Sequence, residues 1–179
     1  PTNAAFTAFL KTTPYASIKD VPTSALTQIL LNHVVTGKVK STDLTTGYIK
    51  TLAKGGASTT NNLSMYVNIS SGVKLNGVAK VVTPDIMASN GVIHVVDAVI
   101  GLPTIVDHAV ANPNFSTLVA ALTYNPASGF AGILSGTASS PFTVFAPTND
   151  AFGAFLTETG FSGLPAIPAN VLEKTLKYH

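Results

Sequence analysis

Apolar positions along this chain change their period from one half to the other. Between residues 104 and 122 they fall at Ile105, Val106, Ala109 and Val110, then at Phe115, Leu118, Val119 and Leu122. Spacings of three and four predict two helical segments, divided at Asn112-Pro113, because proline has no amide hydrogen and disfavours helix in the residue before it. Thr148-Asn149-Asp150 offers side-chain oxygens to the first turn of a third helix, which carries Phe152, Phe155 and Leu156 and stops near Gly160. A fourth is predicted from about Ala169 to Tyr178, with Leu172 and Leu176 on one face. From His33 onward the pattern becomes short strand-like runs at 33–39, 47–53, 64–70, 72–76, 78–82 and 91–100, separated by Gly, Asn and Ser turns. Phe142, Thr143, Val144, Phe145 and Ala146, bounded by Pro141 and Pro147, also read as a strand. Strands collected in 34–102 and helices in 104–179 predict an α+β fold rather than alternating βαβ units.

Laid over this pattern is an internal repeat. Pro1-Thr2-Asn3-Ala4-Ala5-Phe6 recurs as Pro147-Thr148-Asn149-Asp150-Ala151-Phe152, at an offset of 146 residues. The register holds without a gap through Ala8-Phe9-Leu10 and Ala154-Phe155-Leu156, Pro22 and Pro168, Leu26 and Leu172, Leu30 and Leu176, and His33 and His179. The 179 residues therefore contain one 146-residue period and a 33-residue overlap, which predicts a tandem-repeat parent. Residues 1–102 are expected to be the C-terminal part of one copy, without its initial helices and first strand. Residues 103–179 are expected to be the N-terminal part of the next, without its later strands.

Composition excludes several functions. Charged residues are only 10% of the chain, about half the usual share, while hydrophobic residues reach 46% and mean hydropathy is +0.38. All ten basic residues are Lys, scattered singly, for a net charge of +2. Nucleic-acid recognition, which draws on Arg forks and basic stripes, is therefore not expected. No apolar run approaches the roughly 18 residues that span a bilayer, so membrane insertion is not expected either. Cysteine is absent, which removes disulfides, thiolate nucleophiles and zinc knuckles together.

The inventory for catalysis is thin. Two Glu, Glu158 and Glu173, and six Asp are spread singly, with no metal-ligand spacing and no carboxylate pair. Gly132-Ile133-Leu134-Ser135-Gly136 lacks the glycine two residues before the serine that a nucleophile elbow requires. Ala53-Lys54-Gly55-Gly56-Ala57 reads as a hairpin turn rather than a phosphate cradle. His94 and Asp97, three apart on a strand, point to opposite faces and make a poor dyad. His108, beside Asp107, reads as a solvated helix face; His33 and His179 read as histidines buried and hydrogen-bonded at helix ends. No catalytic residue, metal site or cofactor is expected.

The stretch 142–155 (FTVFAPTNDAFGAF), the ending Leu176-Lys177-Tyr178-His179 and the stretch 90–103 (NGVIHVVDAVIGLP) resemble the two signature blocks and the Tyr-His motif of the fasciclin-like, or FAS1, domain. The three motifs fall in the family's order once the two copies are joined. The resemblance implies a wedge-shaped β-sandwich with a helical side, and a secreted or cell-surface module of adhesion or matrix type, commonly in tandem. Tyr178-His179 matches the motif linked in animal members to integrin binding; its counterpart in the first copy is Asn32-His33, where the tyrosine is missing. Thr83-Pro84-Asp85-Ile86-Met87 resembles the short Asp-Ile motif credited with the same role.

These readings make Tyr178, His179, His33, Asp85 and Ile86 candidate partner-binding residues. Residues 142–146 become a candidate assembly strand. The expected function is a non-enzymatic extracellular adhesive or structural module whose partners are proteins, other copies of itself foremost, or a cell-surface receptor or polysaccharide. The missing segments could close on their own chain as a permuted monomer or be donated to the next chain, and donation in a fixed direction builds a filament. The alternative is a module holding a glycan or small apolar ligand, which a pocket above roughly 300 Å3 with convergent polar groups would favour.

Overall fold

The computed structural model describes residues 1–136, 138 and 140–179. Two compact units result, Pro1–Pro103 and Thr104–His179. Together they hold a five-stranded antiparallel sheet and, among the described residues, seven α-helices, a mixed α+β fold.

In the first unit Thr2 caps α1 (Asn3–Leu10) by accepting from the Ala5 amide at 3.1 Å. A 3-10 turn at Ile18–Asp20 leads to α2 (Thr23–Leu31). Five strands follow, paired antiparallel in sequence order: β1 (Gly47–Lys54), β2 (Asn62–Asn68), β3 (Lys74–Leu75), β4 (Ala79–Ala88) and β5 (Gly91–Val96). Ile49 faces Met65 across β1 and β2, and Val81 faces Val96 across β4 and β5. Met65, Val67, Leu75, Ala79, Val96 and Ile100 form the buried core, since alternate side chains of each strand share one face. Asn76 and Gly77 turn β3 into β4 with φ of 48° and 69°, the positive values that a tight hairpin demands and that Asn-Gly tolerates. A second cluster, Ala5, Ile29 and Val99, fastens α1 and α2 to the chain beyond β5.

Two strand expectations are corrected here. The run 33–39 makes only one bridge, Val35 to Thr51, because Gly37 at φ 93° turns the chain away. Conversely β4 runs on to Ala88, past Pro84. The β4–β5 register shifts between Thr83 and Ile86, so proline lies in a bulge where no ladder donor is required, and Asp85 there adopts φ 61°.

In the second unit Thr104 and Asp107 form a capping box on α3 (Ile105–Ala111), which ends at Asn112-Pro113. Next come α4 (Ser116–Tyr124), α5 (Phe130–Ser135), α6 (Asn149–Thr159) and α7 (Ala169–Lys177). Thr148 caps α6, while Asn149 reaches away to accept from the Thr117 amide and donate to the Pro113 carbonyl. Gly160 ends α6 at φ 73°. Leu118, Ala121, Leu122, Phe152, Ile167 and Leu172 are its core. His108, expected in solvent, is half-buried on α3.

Residues 142–146 are not a strand in this unit, because no strand of the unit lies beside them. Their backbone tie is a hydrogen bond from the Phe145 amide to the His179 carbonyl, 2.8 Å.

The repeat is visible in three dimensions. The 3-10 turn Ile18–Asp20 recurs as Leu164–Ala166, and α2 recurs as α7 with the same bounds at the 146-residue offset. The two helix pairs nevertheless differ in which positions they bury most deeply. Ala5 and Asn32 are buried in the first unit, whereas their counterparts Ala151 and Tyr178 are exposed in the second. Phe152 and Leu172 are buried in the second unit, whereas Phe6 and Leu26 are only half-buried in the first.

Candidate functional site

Three of the five candidate binding residues stand in the first unit. His33 follows α2. Its Nε2 accepts from the Ile100 amide at 2.9 Å, which places the ring proton on Nδ1, donated to the Ile29 carbonyl at 2.8 Å. Burial holds its pKa below the usual 6.5, against the Ile29 bond, which favours the charged ring. Asn32 beside it is fully buried: its amide donates to the Gly101 carbonyl at 2.8 Å, and its carbonyl accepts from the Thr51 hydroxyl at 3.1 Å. The Asn-His pair thus locks helix, sheet and the chain after β5 together.

Asp85 sits in the β4 bulge and accepts from both the amide and the hydroxyl of Ser41. These bonds hold its carboxyl below the usual 3.8. The Asp85 amide donates to His94 Nδ1 at 3.3 Å, and His94 Nε2 donates to the Val39 carbonyl at 2.8 Å. His94 and Asp97, which sequence spacing put on opposite faces, have separate partners: His94 meets the Asp85 amide, in the bulge where Asp85 takes a positive φ. Asp97 accepts from the Lys80 amide. Ile86 beside Asp85 is 42% exposed.

The other two candidates are in the second unit. Tyr178 is 92% exposed. His179 is exposed, its Nδ1 lying 3.1 Å from the Phe145 carbonyl, so that Phe145 is held through both its backbone groups. Along the same segment Phe142 and Val144 are half-buried while Thr143 and Phe145 face solvent, Phe145 at 75% exposure.

Sequence reasoning did not find the cavity of about 380 Å3 inside the first unit. It is walled by apolar side chains from every strand and by His33 and His94. All four ring nitrogens of those histidines are already hydrogen-bonded, so no polar groups converge in it. Among the described residues no three acidic or histidine side chains gather as a metal site.

The Fasciclin domain family model matches residues 1–103 and 113–179. The chain belongs to the fasciclin domain family. Fasciclin domains are generally non-catalytic modules of adhesion type. Over 76 residues, 42% of the chain, it is 49% identical to Protein sll1483 of Synechocystis sp., covering 39% of that protein. The solved FAS1 domain pair of the insect cell adhesion molecule Fasciclin I shares the fold at a TM-score of 0.53 and 19% identity, matching all of this chain and 62% of that one. The fasciclin chain described here thus spans less than two thirds of either relative. No helix among its described residues is long and apolar enough to cross a membrane.

Proposed function

We propose that this fasciclin chain is a non-enzymatic adhesive or structural module of an extracellular, surface-displayed tandem protein, and that its copies join head to tail by exchanging segments. One observation carries the reading. The same helix pair occurs twice in the chain at the 146-residue offset, beside the strands in one unit and beside further helices in the other. Within this chain the strands follow the pair in the first unit and three helices precede it in the second. Contacts that are satisfied within a repeat can be satisfied equally between copies, which makes exchange a low-cost route to assembly. A surface with few charges opposes such association little.

Binding of a glycan or small apolar ligand draws support from the cavity volume alone. Its histidines have no ring nitrogen to offer, which weighs against a sugar. Light scattering over a concentration series, with negative-stain images, tests the proposal: head-to-tail oligomers growing with concentration are expected. A stable 18.4 kDa monomer at every concentration would overturn it.

A further inference from the structure

Lysines that lie singly along the sequence are gathered by the fold. The first unit holds eight lysines and four aspartates, a formal charge of +4, and the second holds two lysines and four acids, a formal charge of −2. Alternation along the strands turns Ile49, Met65, Leu75 and Ala79 toward the core, so their neighbours point outward. The outward face of the sheet from β1 to β4 presents Tyr48, Lys50, Leu52 and Lys54 on β1, Lys74 on β3 and Lys80 on β4, all exposed. Lys74 stands directly opposite Lys80 in the register. No acidic residue lies on β1, β2 or β3, nor on β4 before Asp85 in its bulge.

Like charges directly opposite one another destabilise a sheet, and an anion placed between them removes that repulsion. The unit's own carboxylates are turned elsewhere. Asp20 accepts from the Ser17 amide at 2.8 Å, Asp43 from the Lys40 amide at 2.9 Å, Asp85 from the Ser41 amide at 2.8 Å and Asp97 from the Lys80 amide at 2.7 Å. All four are thus bound to backbone, and the one ion pair among the described residues, Lys177 to Glu173, belongs to the second unit. The countercharge for this face has to come from a partner.

The rest of the face says which partner. Tyr48 is 47% exposed and braced by the buried Tyr66, ring centroids 5.0 Å apart, which gives a fixed aromatic surface on which a sugar ring can lie. Ser64, opposite Lys50, and Asn68, opposite Lys74, add neutral hydrogen-bonding groups. At about 3.3 Å per residue and 4.8 Å between strands, Lys50 and Lys80 lie roughly 20 Å apart, a line of charges rather than a pocket. Lysine is a point charge without the planar fork of arginine, and suits separated anionic groups along a polymer.

We propose that this face binds an anionic polysaccharide, whose carboxylate or sulfate groups meet Lys50, Lys54, Lys74 and Lys80 while a sugar ring lies on Tyr48. A second copy of the chain is the poorer occupant, because of the four acids in its second unit Asp107 caps α3 and Glu173 is paired with Lys177. The proposal adds a partner to the adhesive reading and stands whether or not copies join head to tail.

The test titrates the full chain with polygalacturonate and dextran sulfate, and with their uncharged counterparts, the methyl ester and dextran. Binding of a charged form alone, weakening as salt rises, is expected. Lys74→Gln with Lys80→Gln should weaken it roughly tenfold or more, and Tyr48→Ala, at unchanged charge, about threefold or more. Lys11→Gln with Lys19→Gln removes the same charge from exposed positions off this face and should leave binding unchanged. Every altered side chain is exposed, so circular dichroism should show the fold kept. Equal weakening by the two lysine pairs overturns the face, since net charge alone would then explain it. Equal binding of the uncharged polymers overturns the anionic assignment, and binding untouched by Tyr48→Ala overturns the sugar contact. Polyglutamate or anionic phospholipid vesicles bound more tightly than either polysaccharide overturn the choice of partner in favour of an acidic protein or a membrane surface. Failure to bind both charged polysaccharides overturns the proposal outright, while light scattering of the same samples decides the head-to-tail reading separately.

Discussion

At His33 a single ring nitrogen decides a pH dependence. Nε2 must be unprotonated to accept from the Ile100 amide, and burial lowers the pKa below 6.5. The unfolded chain therefore binds a proton that the folded chain refuses, so stability rises with pH across this interval. The His33 contribution is full above about 6.5 and is lost progressively as pH falls through the folded-state pKa. Denaturant titrations from pH 8 to pH 5 should show the midpoint falling toward acid, and His33→Gln should flatten that slope. Asp85 adds a second, more acidic window: with its pKa depressed by Ser41, its contribution is present above 3.8 and fades below. Asn32 has no charge but higher stakes. Asn32→Ala strands the Gly101 carbonyl and leaves the buried Thr51 hydroxyl only its longer bonds to Leu63 and Ala53, and is expected to cost about 1–2 kcal/mol in urea unfolding. Its importance was not legible in the sequence, where it appeared only as the residue that replaced a tyrosine.

Among the elements, legibility followed local chemistry. The helices of the second unit were set by spacing, by the Asn112-Pro113 break and by the Gly160 stop, all of which act within a few residues. Gly160→Ala, at φ 73°, should lower the melting temperature by an amount equivalent to about 1 kcal/mol, measurable by calorimetry. The strands were less legible because pairing is decided by distant neighbours. β4 outran its apolar run through a bulge, and residues 33–39 fell short at Gly37. Residues 142–146 had every strand preference and no strand beside them in their own unit. Composition states what a segment can pair as; only the surrounding sheet supplies the pair.

Over the whole molecule, the repeat carried more than any motif. Its offset, read from residues alone, was reproduced by the bounds of α2 and α7 and by the threonine caps of α1 and α6. What the offset could not disclose was that the duplicated helices would bury different positions most deeply, because that depends on what each copy is packed against. Of the family's signature positions, Tyr178 stands free at the surface while Asp85 and His33 are occupied in holding the first unit together. Partner contact at those two positions would have to compete with internal bonds.

Under the proposed head-to-tail exchange each chain is bivalent, with one donor end and one acceptor end. Bivalent units grow in one dimension, and their mean length is governed by the supply of blocked ends. A free peptide of residues 142–146 is monovalent and should act as a chain stopper. Oligomer length, followed by sedimentation, is expected to shorten as peptide is added and to approach the single chain in excess, whereas the peptide with aspartate in place of Phe145 should leave it unchanged.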